Sequence, residues 1–88
     1  MDIIVRKPTD AEIADMKKKP TWTCGVSEFD WYYGEKEECL LTEGAVTVFY
    51  ENRTKQVSFA EGDYVIFPEG LSCVWKVTAP VKKHYVFG

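Results

Sequence analysis

Histidine is almost missing: His84 is the only one among 88 residues. That count alone excludes a multi-histidine metal centre. Cysteine is sparse as well, and Cys24, Cys39 and Cys73 form neither a CxxC pair nor an even set. Neither a disulfide framework nor a structural zinc site is expected, and the thiols read as reduced. No apolar run approaches the roughly 20 residues that cross a bilayer. The opening Met1-Asp2-Ile3-Ile4-Val5-Arg6 lacks the basic start and apolar stretch of a secretion signal, so a cytoplasmic protein with no membrane partner is expected. Positive charge is in deficit, with a net charge of −3. This argues against a nucleic-acid partner, because such proteins gather Lys and Arg to displace counterions from phosphates. The one basic cluster, Lys17-Lys18-Lys19, reads as a solvated helix end favoured by the helix dipole. Asn52-Arg53-Thr54 fits a glycosylation acceptor pattern but reads as a turn.

What is present is an ordinary globular balance of 45% hydrophobic and 28% charged residues, with 15% aromatic. The length allows one domain, residues 1–88, with a modest core. Thr9-Asp10-Ala11-Glu12 has the form of a capping box, and Ile13 and Met16 supply an apolar stripe behind it. One short helix follows and stops by Pro20, whose ring removes a donor and disfavours helical geometry before it. Beyond Pro20 the chain reads as strands and turns. Phe29–Tyr33, Glu38–Thr42, Ala45–Tyr50, Gln56–Phe59, Tyr64–Phe67, Leu71–Val77 and Lys83–Phe87 are rich in aromatic and β-branched residues, with polar or Gly/Pro turns between most of them. Many short strands and a single helix indicate an all-β sandwich or barrel.

Spacing then carries a resemblance. Gly25, Trp31, Tyr33, Glu37 and Gly44 follow the pattern G-x5-H-x-H-x3-E-x6-G, and Gly62, Pro68, Gly70 and Cys73 follow G-x5-P-x-G-x2-H. These are the two motifs of the cupin family, which the chain resembles in its glycine and proline frame. More narrowly, Ser27-Glu28-Phe29-Asp30-Trp31-Tyr32-Tyr33, Phe67-Pro68-Glu69-Gly70-Leu71 and Lys83-His84-Tyr85 resemble the small stand-alone cupins grouped with ureidoglycine aminohydrolase and the ethanolamine-utilisation cupins. The resemblance implies a small jelly-roll β-barrel preceded by one short helical segment. It also implies a metal position at Trp31, Tyr33, Glu37 and Cys73. Trp offers no lone pair suited to a metal and Tyr is a poor ligand at neutral pH, so only Glu37 and Cys73 remain of the usual donors. No metal and no other cofactor is assigned.

Alternation along a strand puts Phe29, Trp31 and Tyr33 on one face, and Cys73, Trp75 and Val77 on one face of a later strand. They read either as packed core or as the lining of an aromatic pocket, with Trp31, Tyr33, Glu37, Cys73 and Trp75 as ligand-binding candidates. Glu37 is either a general acid or base or a carboxylate tied at the barrel mouth to a tyrosine or Lys83. A Glu37→Gln change is expected to alter ligand binding more than folding. His84 and Cys73 complete the catalytic candidates: His84 reads either as a proton carrier or as a side chain packed or hydrogen-bonded near a strand end, and Cys73 either as a nucleophile, if a neighbour stabilises its thiolate, or as a buried inert thiol. Two functions are carried forward: a metal-free cupin that binds a small organic molecule, and a small enzyme acting on a nitrogen-containing metabolite. A homodimer is expected through the apolar edge Ile3-Ile4-Val5. Gly62 and Gly70 are expected to resist bulk.

Overall fold

In the computed structural model, which describes residues 1–88, the capping box closes as the sequence predicts. Thr9 Oγ1 accepts a hydrogen bond from the Glu12 amide at 3.2 Å, and the Thr9 amide donates to Glu12 Oε1 at 2.9 Å. Two of the orphan donors at the start of α1 (Asp10–Met16) are thereby satisfied. The hydrogen bonds from the Arg6 guanidinium and the Thr9 amide hold the Glu12 carboxyl down at about 2. Met16 is buried under this helix against Leu40 and Tyr64, which fixes α1 to the outer face of the barrel.

Seven antiparallel strands follow from the β-branched and aromatic runs. They are β1 (Ile4–Arg6), β2 (Thr21–Cys24), β3 (Ser27–Tyr32), β4 (Glu37–Tyr50), β5 (Lys55–Ala60), β6 (Tyr64–Phe67) and β7 (Ser72–Phe87). The main path runs β1-β6-β4-β7-β2, with β3 also paired to β7 and β5 to β4. The fold is a small all-β jelly-roll barrel. Its frame is the long pair β4 and β7, which contact each other from Glu37↔Phe87 to Tyr50↔Cys73. The first half of β4 holds β6 on its other side, and the second half holds β5. The first half of β7 likewise holds β3 and its second half β2.

Two corrections to the sequence reading concern this frame. Glu38–Thr42 and Ala45–Tyr50 are parts of one strand, β4, and Leu71–Val77 and Lys83–Phe87 belong almost entirely to one strand, β7. The apparent breaks at Gly44 and Pro80 are a shared irregularity, where the register shifts between Leu41 and Val46. Gly44 has φ +94°, and a Cβ there would stand 2.7 Å from Val81 Cα. Only glycine lets the two backbones approach so closely. Pro80, which has no amide to give to a ladder, is tolerated at that irregularity. The strand β2 was not singled out in the sequence, although Thr21-Trp22-Thr23-Cys24 alternates as a half-buried strand should.

The core fills the barrel with Cys39, Leu41, Val46, Val48, Val65, Phe67 and Val77 from three strands, β4, β6 and β7. The turn glycines Gly62 and Gly70 take φ +89° and +84°, a region that side chains resist. β1 pairs in register with β6 of its own chain, from Ile4↔Ile66 to Arg6↔Tyr64, and Ile3 beside it is buried in the core. Its outer edge has no partner strand within the chain.

Candidate functional site

Inward positions on β4 and β7 converge at one end of the barrel. Glu37, Cys39 and Leu41 alternate into the interior, and opposite them stand Phe87, Tyr85 and Lys83 in register. Across β7, Trp22 of β2 pairs with Lys83, and Phe29 of β3 pairs with Trp75. Of these residues all but Cys39 and Leu41, which are packed core, surround a solvent-open cavity of about 210 Å³, completed by Trp31 and Tyr33. Its walls are aromatic, and its only charged groups are Glu37 and Lys83.

Those two charges form the floor. Lys83 Nζ donates to Glu37 Oε1 at 3.1 Å and lies 3.0 Å from Oε2, with Glu37 2% and Lys83 5% exposed. A carboxylate or an ammonium alone in such a place would suffer a large desolvation penalty, and pairing offsets it. The ammonium also sits 4.6 Å from the ring centroid of Trp75 and 5.0 Å from that of Trp22, where the negative faces of the indoles attract a cation. The sequence reading that ties Glu37 to Lys83 therefore describes its position, but inside the barrel rather than merely at its mouth.

Trp75 is the centre of the aromatic wall. Its ring packs against Phe29, Phe59, Phe67 and Trp22 at centroid distances of 5.6–6.2 Å, and its Nε1 donates to Tyr33 Oη at 3.1 Å. Tyr33 is held from both sides of its backbone. Its amide donates to the Leu71 carbonyl at 2.9 Å and its carbonyl accepts from the Gly70 amide at 2.7 Å, so the Pro68-Glu69-Gly70 turn sets the ring against Phe67. Burial, with the Glu37 charge next, drives the Tyr33 phenol far above its ordinary range, so it stays protonated. Trp31 stands at the rim, 46% exposed, edge-on to Phe29 and Tyr33.

Two candidates lie elsewhere. His84 points away from the cavity because it follows Lys83 on the strand, and alternation sends it to the outer face. There its Nδ1 donates to the Lys19 carbonyl at 3.0 Å, which fits the reading of a hydrogen bond near a strand end rather than a proton carrier of the site. Cys73 is buried in the core, with its thiol directed to the Trp31 carbonyl at 3.7 Å, and does not line the cavity. Burial, with the Glu37 charge beside it, pushes that thiol up to about 11, which fits the reading of a buried inert thiol rather than a thiolate nucleophile at neutral pH. The sequence reading missed Trp22, Tyr85 and Phe87 as lining residues. Period-two alternation through β2 and the end of β7 was the available signal.

The four motif positions do not fit a divalent ion. Both oxygens of Glu37 face Lys83 Nζ, Trp31 has no ligating lone pair, the Tyr33 phenol keeps its proton, and Cys73 is a protonated thiol. No group of three or more His, Cys, Asp or Glu side chains is placed to hold a metal.

A jelly roll built on one long strand pair, with Trp31, Tyr33 and Glu37 of the first motif lining its cavity, is a cupin. The profile of the EutQ-like cupin domain matches residues 12–85, and the chain belongs to that family. A crystal structure of a DUF861 family protein from Thermotoga maritima is similar along its whole length. It is 43% identical, with a TM-score of 0.93 over 99% of this chain and 100% of that one. A putative ethanolamine utilization protein Q from Salmonella typhimurium LT2 shares the fold, with 22% identity and a TM-score of 0.69 over 76% of this chain and 53% of that one. A DUF861 family protein of unknown function from Pseudomonas syringae pv. tomato is 28% identical, with a TM-score of 0.68 over 77% of this chain and 29% of that one. No curated protein matches the chain in sequence.

Proposed function

We propose that this cupin binds a small, flat organic molecule without a metal ion. The observation that carries the reading is the Glu37–Lys83 pair on the floor of an aromatic cavity that is open to solvent. A mostly apolar concavity with a few converging polar groups is the usual form of a small-molecule site. The size bounds the ligand: a cavity of about 150 Å³ accommodates benzene, so about 210 Å³ suits one ring with a short substituent. Trp31 at the rim covers the bound ring, and the Tyr33 hydroxyl and the charged pair orient its polar end. The other reading, an enzyme of the ureidoglycine aminohydrolase kind, draws support from the sequence resemblance alone. It would rest here on Glu37, Lys83 and Tyr33.

Benzyl alcohol is a suitable probe. Saturable change in tryptophan fluorescence, weakened by Trp31→Ala, is the expected result. Absence of saturation up to the solubility limit overturns the binding reading. Elemental analysis of protein purified without chelator tests the metal-free part, which stoichiometric Mn, Fe, Ni or Zn would sink.

A further inference from the structure

Lys83 is the one nucleophilic side chain that the cavity presents. Cys73 lies outside the lining, and the phenols of Tyr33 and Tyr85 are weak nucleophiles while protonated. A lysine that served only to neutralise a carboxylate could be sealed in packed core. Here the nitrogen forms the floor of a space that accepts a ring, with a proton acceptor 3.0 Å away and aromatic walls around it. A desolvated lysine beside a carboxylate that can receive and return its proton is the arrangement from which amines attack carbonyl carbon.

Resting on the reading of this cavity as a small-molecule site, we infer that Lys83 condenses reversibly with a small aldehyde or ketone borne on a flat apolar group. Glu37 first takes one proton from the Lys83 ammonium. The amine lone pair then forms a bond to the carbonyl carbon as the C=O π pair moves to oxygen, and a proton passes from nitrogen to that oxygen. The product is a neutral carbinolamine. Glu37 returns its proton to the hydroxyl, the C–O bond breaks, water departs, and the nitrogen lone pair closes the C=N bond. The balance is one ammonium and one carbonyl giving one iminium and one water, with no oxidant or reductant.

The structure favours the product on two counts. The iminium keeps the positive charge, so the carboxylate and the faces of Trp22 and Trp75 that hold the ammonium hold it too. The aromatic walls pack against the attached ring and limit the water that would reverse the reaction.

Incubation with benzaldehyde near neutral pH, reduction with cyanoborohydride and peptide mapping test the inference. The expected result is a single benzyl group on Lys83, added about tenfold faster than on any other lysine and abolished there by Lys83→Arg. Glu37→Gln slows the labelling by about a hundredfold or more. Benzyl alcohol, which binds but cannot condense, protects Lys83 and leaves other lysines unprotected, and this arm decides the matter if Glu37→Gln does not fold. Benzyl alcohol binding with Lys83 labelled no faster than surface lysines overturns the inference and leaves the cavity reading standing. Absence of benzyl alcohol binding overturns the cavity reading, and with it the inference that rests on it.

Discussion

Lys83 Nζ lies 3.0 and 3.1 Å from the two carboxylate oxygens of Glu37, across 46 residues of sequence. Each side chain is the other's counterion, and both are almost fully buried at the floor of the cavity. The pairing reverses the expectation that Glu37→Gln harms binding more than folding. Either Glu37→Gln or Lys83→Met strands a buried charge and is expected to destabilise by about 3–5 kcal/mol. The double variant recovers most of that loss, because no bare charge remains. Urea denaturation of the three variants checks it, and additive losses would mean that the two groups do not interact.

Trp31 and Trp75 separate lining from core. Trp31 is half exposed at the rim, so Trp31→Ala should cost under about 1 kcal/mol while weakening benzyl alcohol binding. Trp75 is buried at the centre of four rings, and Trp75→Ala should cost about 3–5 kcal/mol. Equal stability losses would show that the rim and the centre are one packed unit.

Gly44 and Gly25 occupy matching places in the sequence motif but not in the structure. A Cβ on Gly44 meets the backbone of Pro80 and Val81 at positive φ, whereas Gly25 has nothing within 4 Å. Gly44→Ala is expected to cost more than about 2 kcal/mol and Gly25→Ala less than about 0.5 kcal/mol. Thermal melts of the two variants provide the comparison.

Alkaline stability follows from the buried thiols. Burial raises Cys39 to about 12 and Cys73 to about 11, from an ordinary value of 9.0. Below pH 9 both folded and unfolded thiols are protonated and the full stability is present. As pH rises from 9 toward 11 and 12, the unfolded thiols ionise first, the unfolded state binds fewer protons, and stability falls. Melting temperature measured from pH 8 to 11 should drop, and Cys39→Ala and Cys73→Ala should each flatten the decline. An unchanged slope in both variants would locate the alkaline loss elsewhere.

The unpaired outer edge of β1 is the proposed dimer contact. Light scattering at tens of micromolar should give the dimer mass, and a lysine at Ile4, which is half exposed on that strand, should shift it toward monomer. A monomer in the unaltered protein ends the proposal.

Much of the fold was legible because its signals are local. The capping box at Thr9, the alternation in Phe29-Asp30-Trp31-Tyr32-Tyr33 and the turn glycines Gly62 and Gly70 each declare themselves within a few residues. The fusion of strands at Gly44 and Pro80 was not legible, since a glycine and a proline that ordinarily end strands here permit two strands to bend together. Glu37 was recognisable from the motif spacing. Lys83 was one of two partners the sequence offered it; the choice of Lys83 over a tyrosine and the presence of Trp22 beside that ammonium depend on strand registers that no short window of sequence contains. The motif also misdirected attention to Cys73, which occupies the expected place on β7 but is turned toward core rather than cavity.

The long pairing of β4 with β7 ties the site to the order of folding. Chains whose contacts join residues far apart in sequence fold slowly, because loop-closure entropy is lost before the contacts reward it. Glu37 and Lys83 meet only when such a loop has closed, and until then each remains hydrated. A chain that has formed only the hairpin of β4 with β5 therefore has strands and turns but no cavity, no paired charges and no place for a ring. Ligand capture during refolding would report the arrival of β7, not the first appearance of β-structure.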